Sequence, residues 1–298
     1  MVCILLSAFG FALMAMFVRL ADVCGSTCLP AVQKAFFRNL VAAAIAGAAF
    51  LAQRRARRTG AAGGCASVPL TWRVWLDLLL RAAFGTCGIV ANFYALSHIP
   101  IGDAMALNKT APFFTLLLSW LLLGERMTAR QAFCVAGAFG GAMLVVKPGF
   151  SGLFSVAALV GLASGVCAGS AYAFLHRLGR AGVDGAFIVL FFSVFSCLAC
   201  VPWLVSGAVP MSGWQVAVLF AAGGGAALGQ FGITWAYRFS EPRQIAVYDY
   251  AGIVFAAILG FAAFGQTPDA TSLVGMLVII GMGVALHLRF PRRLRAGL

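Results

Sequence analysis

A chain of 298 residues that is 62% hydrophobic and only 10% charged, with a mean hydropathy of +0.99, lies outside the range of soluble domains, which carry roughly 25% charged residues. The formal net charge of +13 raises nucleic-acid binding. However, the basic residues sit at the ends of apolar runs, four of them between Arg54 and Arg58, where they suit anionic lipid headgroups and membrane orientation instead. The chain reads as an all-α polytopic membrane protein set in a lipid bilayer, with no nucleic-acid partner.

Hydropathy and breaker residues divide it into about ten spans, near 2–20, 33–52, 74–96, 103–123, 130–147, 154–175, 185–205, 214–236, 244–264 and 271–288, each close to the ~20 residues that cross a bilayer. The first lacks the basic start of a signal peptide and is read as a retained helix. Cys24 and Cys28 follow it in a loop, where they pair if that side is oxidising and otherwise stay two free thiols. The second span carries Arg38 and Asn39 and leads into a basic, Gly/Ala-rich loop from Gln53 to Arg73. The third opens with Asp77 and Arg81, whose spacing of four suits an ion pair along the helix at the interface, and it ends with Asn92 and Tyr94.

The fourth span, around which the others are arranged, holds Asn108, Lys109 and Pro112 inside an apolar run. As a continuous helix it places Asn108, Pro112, Thr115 and Ser119 at i, i+4, i+7 and i+11, all on one face. An ammonium inside a spanning helix is costly enough that Lys109 has to face a cavity, a partner or the interface. In the sixth span a ladder of Gly161, Gly165 and Gly169 precedes Tyr172, and in the eighth Gly225 and Gly229 precede Trp235. Both ladders are read as packing grooves. The ninth span carries Asp249 between Tyr248 and Tyr250. Short connections make sequential helices antiparallel neighbours.

With the N-terminus inside, the loops and tail on the cytoplasmic side hold sixteen of the 21 Lys and Arg, leaving Arg19, Lys34, Arg38, Lys109 and Lys147. The positive-inside rule therefore places both termini in the cytoplasm, and the expected location is the plasma membrane, the inner membrane of a bacterium. A shift of 141 residues aligns Gly88 with Gly229, Tyr94-Ala95 with Trp235-Ala236, Asn108 with Asp249 and Gly124-Glu125 with Gly265-Gln266. Five spans per half is an odd number, so the repeat has inverted topology. The halves are 1–149 and 150–298, and the arrangement is typical of secondary transporters with a site between the halves.

FFRN at 36–39, NFYALSHIPIGDAMAL at 92–107, the Pro112 span ending LLLGER at 121–126, and the fifth span ending VVKPG at 145–149 resemble the EamA-type branch of the drug/metabolite transporter superfamily. The resemblance covers nearly the whole chain. It implies ten transmembrane helices as two inverted five-helix repeats, a central cavity and transport of a small metabolite. The second half departs from the pattern, with Gln266 in place of the loop acid and FFS at 191–193 near the place where an arginine matching Arg38 is expected.

Counted from their span ends, Arg38, Asn92, Asn108 and Lys109 fall within roughly 8 Å of one another in depth. Facing inward, they make a cationic, amide-rich pocket for a carboxylate or phosphate; the competing account has Arg38 and Lys109 snorkelling to the outer interface. With Asn39, and with Tyr94, Tyr172, Trp235, Tyr248 and Tyr250 as aromatic surfaces, these form the substrate-binding set, although each aromatic near a span end also suits an interfacial anchor. Asp249 is the proton-coupling candidate, since desolvation favours the neutral form of a carboxyl group; pairing with Arg238 or Arg243 is the alternative. No phosphate loop, HExxH, paired acids or His/Cys metal spacing occurs, so no catalytic residue, metal or cofactor is expected. The expected function is alternating-access transport of a small-molecule substrate, an amino acid or other anionic or zwitterionic metabolite, by a monomer or homodimer. An integral-membrane enzyme acting on lipid-like substrates and a passive channel are the competing classes.

Overall fold

The computed structural model describes residues 2–23, 28–58, 71–123, 128–146, 156–239 and 249–288. They form eleven helical segments: α1 (Val2–Val23), α2 (Ala31–Arg58), α3 (Trp72–His98), α4 (Ile101–Asn108), α5 (Ala111–Leu123), α6 (Ala129–Val146), α7 (Val156–Arg180), α8 (Gly185–Gly207), α9 (Gly213–Phe239), α10 (Ala251–Phe264) and α11 (Ala270–Leu288). Six of these, α1, α2, α3, α7, α8 and α9, are each long and apolar enough to cross a membrane, and α6, α10 and α11 are shorter apolar helices. With α4 and α5 sharing one span, the protein is a ten-span all-α polytopic membrane protein.

The fourth span corrects the expectation of one continuous helix. Pro112 has no N–H, and its ring excludes the carbonyl four residues back, so it is tolerated in a helix's first turn and not in its middle. Here it is the second residue of α5. The chain crosses the break by tight bonds: Thr110 N donates to Leu107 O at 3.2 Å and Phe113 N to Thr110 O at 3.0 Å, while Thr110 Oγ1 caps Leu107 O at 2.7 Å. The polar face running from Asn108 to Ser119 is therefore split, and the Ser119 side chain lies outside the described residues.

The glycine ladder of α7 lies against this break. A Cβ on Gly169 would stand 2.5 Å from Ala111 O, and one on Gly165 would stand 2.6 Å from Leu107 O. No side chain fits there, and Thr115 Oγ1 reaches across to Gly169 O at 3.0 Å. Small residues admit this close backbone approach in a membrane, where no hydrophobic drive favours helix over lipid. α1 meets α9 in the same way, with a Cβ on Gly10 standing 2.8 Å from Gly225 O.

The helix pairings carry the symmetry of the repeat. α1 packs on α9 and α10, and the sixth span, α7, packs on α3 and α5. α2 pairs with α8, and α6 with α11. Exchanging spans one to five with spans six to ten maps this set onto itself, so the closest partners of each half lie in the other half. Gln266, which stands where the first half has Glu125, accepts from Ile101 N at 3.1 Å and so caps α4 across the halves, satisfying one of the orphan donors of a helix start.

Candidate functional site

Between the halves lies a cavity of about 60 Å³ lined by polar side chains from both. α3 supplies one wall by its periodicity. Arg81, Gly85, Gly88 and Asn92 fall at i, i+4, i+7 and i+11, and all four line the cavity. Arg38 enters from α2, Asn108 and Lys109 from the end of α4, Tyr172 from α7, Phe192 from α8 and Gln230 from α9.

Arg38 and Arg81 are 1% and 2% exposed. Arg38 Nη1 donates to Asn39 Oδ1 at 2.5 Å, and Arg81 Nη2 donates to Gln230 Oε1 at 3.1 Å. The ring of Phe192 serves both cations, with its centroid 4.1 Å from the Arg81 guanidinium carbon and 5.8 Å from that of Arg38. A Cβ on Gly85 would come 2.8 Å from Phe192 and 2.5 Å from Arg81 Nη1, so the missing side chain is what lets the arginine fold back over the ring. Neither guanidinium has a carboxylate partner among the described residues. The Nε of each, together with Asn92 Oδ1, is buried without a hydrogen bond.

Lys109 is different, because its ammonium donates to Asp249 Oδ1 at 2.5 Å, with both side chains 4% exposed. Lys109 sits at the break after α4, and Asp249 sits two residues before the start of α10. The ion pair thus joins the interrupted fourth span to its counterpart in the other half. Gly252 leaves room for the lysine stem, since a Cβ there would lie 3.0 Å from Lys109 Cε. Asp249 therefore has its partner inside the protein; the Arg238 side chain and Arg243, the partners expected near the cytoplasmic face, lie outside the described residues. Asn108 Nδ2 donates to Ser164 Oγ at 3.0 Å and holds α4 to α7.

The structure gathers Arg38, Asn92, Asn108, Lys109 and Tyr172 around the cavity and places the other predicted residues elsewhere. Asn39 is buried behind Arg38 and serves it as an acceptor. Tyr250 packs on Phe113, ring centroids 6.0 Å apart, and against Gly283. Tyr94 is turned to the other side of α3, stacked on His98 at 4.3 Å, and Trp235 is 46% exposed. Tyr248 and Cys24 lie outside the described residues. Tyr94→Ala and Trp235→Ala are expected to keep transport within about twofold of the unsubstituted protein, the scale of substitutions away from buried sites; a tenfold loss in either, measured as initial uptake at equal expression, would put the aromatic set back into the site.

Sequence reasoning missed Arg81, Phe192 and Gln230. Asp77 pairs with Arg177 across helices at 3.3 Å and leaves Arg81 turned inward. Its shared face with Asn92 was the available signal. Among the described residues, no group of three His, Cys, Asp or Glu side chains comes together as a metal site.

A model of the EamA-like transporter family matches residues 1–147. The chain is 33% identical over 282 residues to a pseudopaline exporter of Pseudomonas aeruginosa, covering 94% of this chain and 93% of that protein. It is 28% identical over 219 residues to a riboflavin transporter of Brucella anthropi, covering 70% of this chain and 75% of that one. A solved crystal structure, 20% identical, superposes with a TM-score of 0.65 over 96% of this chain and 99% of its own, which is a likeness of fold.

Proposed function

The chain belongs to the EamA-like transporter family, and from that premise we propose that this membrane transporter is a secondary carrier of a small anionic or zwitterionic organic metabolite. The halves 1–149 and 150–298 alternate access to the cavity between them, and Arg38, Asn92, Asn108, Lys109 and Tyr172 form the binding site. The observation that carries this reading is a pair of buried guanidinium groups without carboxylate partners among the described residues, facing a cavity that both halves line. At about 60 Å³ that cavity has room for roughly two water molecules, whereas ligand sites take ~300–1,000 Å³. A metabolite enters only when the halves part, as alternating access requires. Relatives named for pseudopaline export and riboflavin transport support an organic cargo over an inorganic ion.

Purified protein in liposomes tests the carrier: a preloaded, unlabelled metabolite should draw its labelled form inward against its gradient by counterflow. Conductive flux without counterflow would mark a channel instead.

The basic loops support a reading with both termini in the cytoplasm of a bacterial inner membrane. Cys28, which is exposed, should then react with membrane-impermeant maleimide on intact cells, while Cys65 in the basic loop stays protected. The reverse pattern would invert the topology.

A further inference from the structure

We propose that the cargo is a diacid, with Arg38 and Arg81 each holding one acid group and Asn92 meeting a polar substituent on the carbon chain between them. This rests on the reading of the cavity as the substrate site.

The charge in the wall points to two acids instead of one. Lys109 is neutralised by Asp249, which leaves Arg38 and Arg81, two like charges with no carboxylate partner among the described residues, in one buried cavity. They flank a single ring, Phe192, so that their guanidinium carbons are no more than about 10 Å apart, well inside the range of mutual repulsion in a low dielectric. A buried cation is tolerated when an anion meets it. Two unmet cations at this spacing are jointly met by one molecule carrying two anions, whereas a monoacid leaves one of them facing the other.

The free hydrogen-bonding atoms agree. Arg38 commits Nη1 to Asn39 and Arg81 commits Nη2 to Gln230, while Nε of each stays unbonded. Nε and a terminal nitrogen form the parallel donors of a bidentate carboxylate contact. The amide partners are neutral, so they orient the guanidinium groups without cancelling their charge. Asn92, 6% exposed, lines the same cavity with Oδ1 unbonded; an amino or hydroxyl group on the cargo satisfies it.

Arg81 is therefore a specificity residue. Its contribution shows in the preference for two acid groups over one, a readout that a packing role would not move. The test is a thermal-shift titration of the detergent-purified full chain with succinate, malate and aspartate against acetate, lactate and alanine, with inorganic phosphate and succinamide in parallel. A native-state binder raises apparent stability with concentration. The diacids are expected to act at concentrations at least tenfold below the monoacids, malate or aspartate below succinate, and succinamide not at all. Arg81→Gln is expected to abolish the preference, leaving diacids and monoacids equally weak, and Arg81→Lys to restore part of it.

Equal potency of monoacids and diacids on the unsubstituted protein would overturn the proposal without recourse to any variant. So would a preference that survives in Arg81→Gln. Phosphate acting as well as malate would assign the arginines to a phosphate group and sink the diacid. If a neutral metabolite shows counterflow while no diacid binds, the diacid falls and the carrier reading stands; if no organic solute shows counterflow, the carrier reading falls too.

Discussion

Lys109→Ala is expected to lower the stability of the purified protein by about 3–5 kcal/mol, because a buried ion pair that loses one member leaves the other charge uncompensated. For a chain of this size that is a fall in Tm of roughly 10 °C. Asp249→Ala should do the same from the other side. The pair is 4% exposed on each side chain and 2.5 Å long, so solvent relieves little of the penalty. The double variant Lys109→Met/Asp249→Leu should recover most of the loss, since replacing a whole buried pair with apolar groups of similar volume is often neutral. If either single variant melts with the unsubstituted protein, the contact does not join the halves. Asp249 is also the proposed coupling residue. Because Lys109 also lines the cavity, the double variant should exchange labelled for unlabelled cargo more weakly and lose its accumulation in response to a pH gradient altogether, and accumulation that persists would move the coupling elsewhere.

Arg38 should behave in the opposite way. It has no carboxylate partner among the described residues, so Arg38→Ala removes a buried charge without stranding another; the Asn39 Oδ1 it leaves unbonded offsets part of that gain, and Tm should stay level. Transport should fall by at least tenfold, because a hydrogen bond to a charged group is worth about 1.5–3 kcal/mol and each 1.4 kcal/mol is a factor of ten. Arg38→Lys keeps the charge and loses the planar fork, so it should lie between the two. A destabilised Arg38→Ala would show that the guanidinium is a structural strut, and normal transport would show that it merely fills space over Phe192. This pairing of lost activity with undiminished stability is the signature of a binding group kept at the expense of the fold.

Much of this was legible in the sequence. Ten apolar runs gave the spans, and depth alone grouped Arg38, Asn92, Asn108 and Lys109, which do converge on the cavity. The repeat was informative in a way that separates packing from binding. Tyr94 and Trp235, matched by the 141-residue shift, both point away from the cavity. Arg38, whose matching region reads FFS, points into it, and the second of those phenylalanines, Phe192, supplies the ring beneath both arginines.

What was not legible depended on contacts across the halves. Pro112 was in view, but whether a proline kinks a span or begins a new helix depends on what packs beside it, and Gly165 and Gly169 of α7 fill that space. Asp77 and Arg81 have the spacing of a pair, yet Arg177 of the other half competes for the carboxylate and takes it. Phe192 is one of 26 phenylalanines, and no local pattern sets it apart.

The central claim, that cargo occupies the cavity between the halves during transport, is tested most directly by alkylation of a cysteine placed at Asn92, with Cys28 retained as the control, in proteoliposomes active for counterflow. Saturating cargo should slow labelling of that cysteine severalfold at a temperature where the halves do not alternate, and leave Cys28 labelled at its usual rate. An Asn92→Cys protein that transports, and whose labelling is indifferent to saturating cargo, would place the substrate somewhere else in the molecule.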